Sequence, residues 1–196
     1  MGKILDTPGR AFLAGLVLAG LAALLWFAAW GPERGAVYLP GLAAVLLRFV
    51  HVLAGIVWVG FIWYVNFVQI PAIAELDTAG RGAVHRAIAP RAAFWFRHAS
   101  TLTVVTGVAM IAFASYLSLG GIGAPRGLLI TIAMLLGFVM WINVHMTIWP
   151  AMREVLGAGE EAGKSAARER VRRYARINLI LAVPVTFAMV GAAHLY

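Results

Sequence analysis

His51 stands inside the apolar run Leu42 to Ile70, LAAVLLRFVHVLAGIVWVGFIWYVNFVQI. An ionisable ring at hydrocarbon depth is costly, so a residue of this kind marks a functional site by default. Ala54, Gly55 and Trp58 follow at the third, fourth and seventh positions and share its helix face. The two small neighbours leave a slot for a flat cofactor such as haem, or for a partner helix. Four more histidines, His85, His98, His145 and His194, are the other ring nitrogens available to a metal. With no cysteine in the chain, thiolate metal sites, iron-sulfur clusters and covalent C-x-x-C-H haem attachment are all excluded. A redox group would therefore be a non-covalent one such as haem b, held by histidine, methionine or tyrosine.

The elements that must position these rings are membrane helices. Hydrophobic residues make up 62% of the 196 residues and charged ones 12%, against roughly 45–50% and 25% in soluble domains. Five apolar blocks each reach the roughly 20 residues that cross a bilayer: 11–30, 42–70, 92–119, 127–149 and 177–195. The expected architecture is all-α, a single multi-pass membrane bundle over 1–196 with a basic helical loop at 151–176. The first block is longer than a signal-peptide core and is read as a retained span. Pro71 and Pro150 are expected to close the second and fourth spans, and Pro184 to kink the fifth.

The net charge of +8 is distributed as in a membrane protein, with no recognition motif or aromatic interleaving of the kind nucleic-acid binding needs. Of the 16 lysines and arginines, only Arg34, Arg48 and Arg126 fall on one side of the five-span map. The positive-inside bias then puts the N-terminus in the cytoplasm and the C-terminus outside. In the last loop, Glu160 with Lys164 and Glu169 with Arg173 have the spacing of helical ion pairs. Its basic side suits anionic lipid headgroups.

On this map His51 and His194 lie toward the outer face, and His98 and His145 toward the cytoplasm. Each couple is a candidate pair of axial haem ligands, with Arg48 and Arg97 placed to meet the propionates. The plainer alternative is that each ring bridges to a helix carbonyl or sits among headgroups. His85, in a loop, is expected to be solvated.

Four stretches carry a family resemblance. RFVHVLAGIVWVGFIWYVNFVQIP from Arg48, HRAIAPRAAFWFRHASTLTVVTG from His85, NVHMTIWPAMREV from Asn143 and RINLILAVPVTFAMVGAAHLY from Arg176 resemble, in order and spacing, the N-terminal membrane domain of bacterial membrane-bound urate oxidases. The likeness runs from about Leu47 to the end. It implies an inner-membrane oxidoreductase that passes electrons from urate to a cytochrome c, and it points to His51, His85, Trp95, Arg97, Asn143, Pro150 and His194. His98 and His145 depart from the family pattern. The periplasmic cytochrome domain that follows in that family is missing here, so the resemblance implies a separate electron carrier, soluble or membrane-bound, or a different substrate.

Two other classes compete with this expectation. One is a structural or assembly subunit, alone or in an oligomer, whose histidines only bridge helices. The other is a protoporphyrinogen-oxidase-like or copper-handling membrane protein. Met134, Met140, Met146 and Met152 recur every six residues and spread around a helix instead of lining a copper path.

Overall fold

The computed structural model describes residues 6–30, 39–113, 124–157 and 160–194, and among these every element is helical. Four helices are long and apolar enough to cross a membrane. The chain divides into two compact units, Met1–Ala43 and Ala44–Tyr196.

Helix α1 (Pro8–Trp30) belongs to the first unit. Thr7 caps it by accepting the Arg10 amide at 3.3 Å, and Pro8 occupies the first turn, where its missing N–H is harmless. No residue of Pro8–Leu25 is buried. A helix that is apolar all round without protein cover has lipid as its natural solvent.

The second unit opens within α2 (Leu39–Tyr64), which continues through a π-helical turn, Val65–Gln69, into α3 (Ile70–Glu75). Asp77 then caps α4 (Thr78–Ala87), its carboxylate accepting the Gly80 amide at 2.7 Å. Helix α5 covers Ala89–Phe113. Helix α6 (Pro125–Ile142) passes through a second π-helical turn, Asn143–Ile148, into α7 (Trp149–Leu156), and α8 covers Glu161–His194.

Both π turns precede a proline at the second position of the next helix. Pro71 and Pro150 have no N–H to give, and their rings would collide with the carbonyls of Phe67 and Met146, four residues earlier. Widening the preceding turn relieves the clash, and Ile70 and Trp149 donate five residues back, to the Val65 and Val144 carbonyls. These prolines were expected to end their spans; the helices instead run on to Glu75 and Leu156. The helix also runs through Pro184 without ending.

Helix α8 packs along α6, the second π turn and α7. Its buried stripe, Ala167, Val171, Ala175, Asn178 and Ala182, advances by three or four residues and is dominated by alanine. Small residues let helix backbones approach closely where lipid offers no hydrophobic drive to associate. Trp58, Ile62, Ala99, Met140, Val144 and Ala182 form one core cluster, uniting α2, α5, α6 with its π turn, and α8.

The third expected span, 92–119, lies on α5 as far as Phe113, while among the described residues four other helices are long and apolar enough to cross. Its end at 114–119, Lys3, Arg34 and residue 195 lie outside the described residues. In the basic segment, Glu169 takes Arg172 in place of the expected Arg173. Glu161 pairs with Arg168 at 2.6 Å, and Glu154 on α7 with Arg170.

Candidate functional site

His51 reaches from α2 to α5. Its Nδ1 lies 2.9 Å from the Thr103 carbonyl and 3.2 Å from Thr106 Oγ1. A carbonyl can only accept, so Nδ1 carries the hydrogen, and the neutral ring keeps its lone pair on Nε2. Among the described residues no hydrogen bond engages Nε2. The ring lies close against Gly107, where an added Cβ would meet Cε1 at 3.1 Å, and Gly55 faces the Thr103 methyl group. The small-residue face read from the sequence is thus packed by α5, while Trp58, seven residues on, is buried in the core with its indole N–H unpartnered. Arg48, one turn earlier, is exposed.

His145, on the second π turn, has both nitrogens occupied. Nδ1 donates to the Trp141 carbonyl at 3.0 Å, so Nε2 takes the Thr101 hydroxyl hydrogen at 3.1 Å. The Trp141 indole N–H donates to the same hydroxyl at 3.3 Å. His98 points outward, its Nδ1 on the Phe94 carbonyl at 2.7 Å and its ring against Phe94. His194 is the exposed last residue of α8. Among the described residues no hydrogen bond joins His51 to His194 or His98 to His145: His51, His98 and His145 are each settled on other partners.

At the other end of the second unit, residues of α2 and its π turn, α4, α5, α7 and α8 enclose a cavity of about 180 Å³. Its walls include Ile62, Phe96, Val144 and Ile148, and its polar lining comprises Asn66, Gln69, His85 and three arginines, Arg97, Arg168 and Arg172. Asn66 Nδ2 donates to the Ile62 carbonyl at 2.9 Å and the Ala175 carbonyl at 3.2 Å. That fixes the amide and leaves Oδ1 buried without a partner, as are Gln69 Oε1 and His85 Nδ1. The Arg97 guanidinium lies over Trp149, 4.4 Å from the ring centroid. Sequence reasoning singled out His85 and Arg97 but missed the two amides beside them; their signal was a pair of amides three residues apart just before a proline.

Burial, and then the Arg168 guanidinium, hold the His85 pKa below the ordinary histidine value, against the opposing pull of Glu161. The folded chain therefore resists a proton that the unfolded chain accepts. Stability contributed by neutral His85 is complete above about pH 6.5 and declines as pH falls below it toward the depressed folded value. Thermal unfolding in detergent from about pH 7.5 to 5 should show a falling Tm, with a shallower fall in His85→Gln. Parallel curves for the two proteins would refute the assignment.

Among the described residues no group of three or more His, Cys, Asp or Glu side chains converges as a metal site would require. Comparison of the chain with protein-family models, with curated proteins and with solved structures finds no match.

Proposed function

We propose that this chain is a multi-pass protein of a bacterial inner membrane that holds haem b through His51 and relays electrons between a substrate and a separate cytochrome, as its resemblance to the membrane domain of urate oxidases implies. The observation that carries the reading is the His51 tautomer. A haem-ligating histidine donates one ring N–H to a carbonyl, which orients the ring and raises its basicity, and presents the other nitrogen to iron. The Thr103 carbonyl does this for Nδ1 and leaves Nε2 for the metal. The residues present thus fit a haem that His51 Nε2 would hold, and bound haem would supply one-electron redox chemistry. The chain's own residues fix the ring, and Gly107 admits it to the helix seam.

The same proposal counts α5 as a fifth span. Ser100, Thr103 and Thr106 each bring the hydroxyl oxygen within 2.6–2.8 Å of a carbonyl on their own helix, while Thr101 gives its hydrogen to His145. Hydroxyls satisfied in this way cost far less in hydrocarbon than residue type suggests. With five spans, the lysine and arginine asymmetry supports a cytoplasmic N-terminus and a periplasmic C-terminus.

The test is a reduced-minus-oxidised spectrum and a pyridine haemochrome on detergent-solubilised protein, with urate then added to the cuvette. A Soret band and b-type haemochrome are expected. A colourless preparation from haem-replete cells overturns the reading in favour of a structural subunit, for which the fully engaged His145 ring is the supporting observation.

A further inference from the structure

We propose that the cavity bounded by Asn66, Gln69, His85 and Arg97 binds the head group of a lipid-soluble hydroquinone. The argument begins with hydrogen-bond direction. Both hydrogens of the Asn66 amide are spent on backbone carbonyls, so the cavity receives an obligate acceptor, Oδ1. Gln69 Oε1 is a second acceptor and His85 Nδ1 a third polar atom, all buried and all unpartnered. A buried polar group left without a partner is costly, so three lining one cavity mark a place where a ligand completes the bonding. Donors line the same cavity: Arg168 and Arg172 are ion-paired with Glu161 and Glu169, whereas the Arg97 side chain stacks on Trp149 and makes no ion pair or hydrogen bond among the described residues.

A ligand that completes these bonds as they stand gives hydrogens to Asn66 Oδ1 and Gln69 Oε1 and accepts at least one from Arg97. A phosphate or carboxylate headgroup has no hydrogens to give at neutral pH and would set its oxygens against those of Asn66 and Gln69. An ammonium headgroup gives hydrogens but meets the Arg97 charge. A hydroquinone carries two hydroxyls, each able to donate and to accept. Its ring also suits the space, since a dry cavity of roughly 150 Å³ takes up benzene and this one has about 180 Å³. The apolar walls, Ile62, Phe96, Val144 and Ile148, suit a ligand delivered from the hydrocarbon layer. The first π turn contributes directly, because it carries Asn66 and Gln69 on its widened coil, a common setting for functional groups.

Because the acceptors belong to the protein, the cavity must tell the two oxidation states apart: the hydroquinone donates, whereas the quinone only accepts. The test is anaerobic equilibrium binding of a decyl-substituted benzohydroquinone and of its quinone to the full chain in lipid nanodiscs. The hydroquinone should bind at least tenfold tighter. Gln69→Met, which keeps length and loses the acceptor, should reduce that preference several-fold while leaving quinone binding nearly unchanged, and His85→Phe should weaken the hydroquinone. Unfolding midpoints close to the parent's confirm that both variants fold. Equal affinity for the two states, no binding of either, or an unaltered preference in both variants overturns the proposal. Displacement of the hydroquinone by urate also overturns it, reassigning the cavity to a water-borne ring. Binding is measured again in His51→Ala protein, where it should persist; the inference does not rest on haem, so either reading can fail alone.

Discussion

His51→Ala is expected to abolish the Soret band of the purified protein while leaving the helical bundle folded. Removing the ring takes away the proposed iron ligand, Nε2, outright. What the fold loses is modest. The ring's partners are the Thr103 carbonyl, which stays within the backbone ladder of α5, and the Thr106 hydroxyl, which also lies 2.6 Å from the Leu102 carbonyl. Neither is stranded, and interhelical hydrogen bonds in membranes average about 0.6 kcal/mol, with a maximum near 1.7. Gly107→Leu should give the same loss of colour with the ligand still in the sequence. A Cβ there falls 3.1 Å from Cε1 and 3.4 Å from Nδ1, which already makes the ring give by a few tenths of an ångström, and the rest of a leucine side chain is expected to displace it from its carbonyl. Absorption spectra and far-UV circular dichroism of the two variants decide the matter: a Soret band at parent intensity in His51→Ala rules out His51 as the ligand.

The setting of these two residues was only half legible in the sequence. The chain announced long apolar helices, and four are present; it announced His51 through its position in an apolar run. The sequence did not show what the ring would meet, because Thr103 and Thr106 lie 52 and 55 residues away, and a threonine in an apolar helix carries no mark of its partner. Grouping histidines by depth into His51 with His194 and His98 with His145 assumed that rings at one level meet. The structure gives each ring its own partner instead, since a carbonyl one helical turn back, as for His98 and His145, is always within reach. The prolines were read as stops by the habit of soluble helices. Here the helix widens by one residue and continues, and that widening sets Asn66 and Gln69 into the cavity. The amide of Asn66 finds Ala175, 109 residues on, a pairing that no local spacing encodes.

A second buried amide predicts the largest effect on stability. Asn178 is fully buried on α8, 0% exposed, where its stripe of alanines brings the helix against α6. Its Oδ1 accepts from Asn143 Nδ2 at 3.0 Å and its Nδ2 donates to the Met140 carbonyl at 3.2 Å, so one side chain joins α8 both to α6 and to the π turn that follows it. Asn178→Leu removes both bonds and leaves the Asn143 amide facing hydrocarbon, a cost of about 1–3 kcal/mol. The Met140 carbonyl is not orphaned, because it also takes the Asn143 backbone N–H. The damage therefore lies mainly in the stranded Asn143 side chain, and it should be reversible: Asn143→Leu combined with Asn178→Leu replaces both halves of the pair with apolar groups and should recover most of the loss. Unfolding titrations of the parent, both single variants and the double variant in mixed detergent measure this coupling. Strict additivity would show that the two amides do not depend on each other, and that the alanine seam alone holds α8 in place.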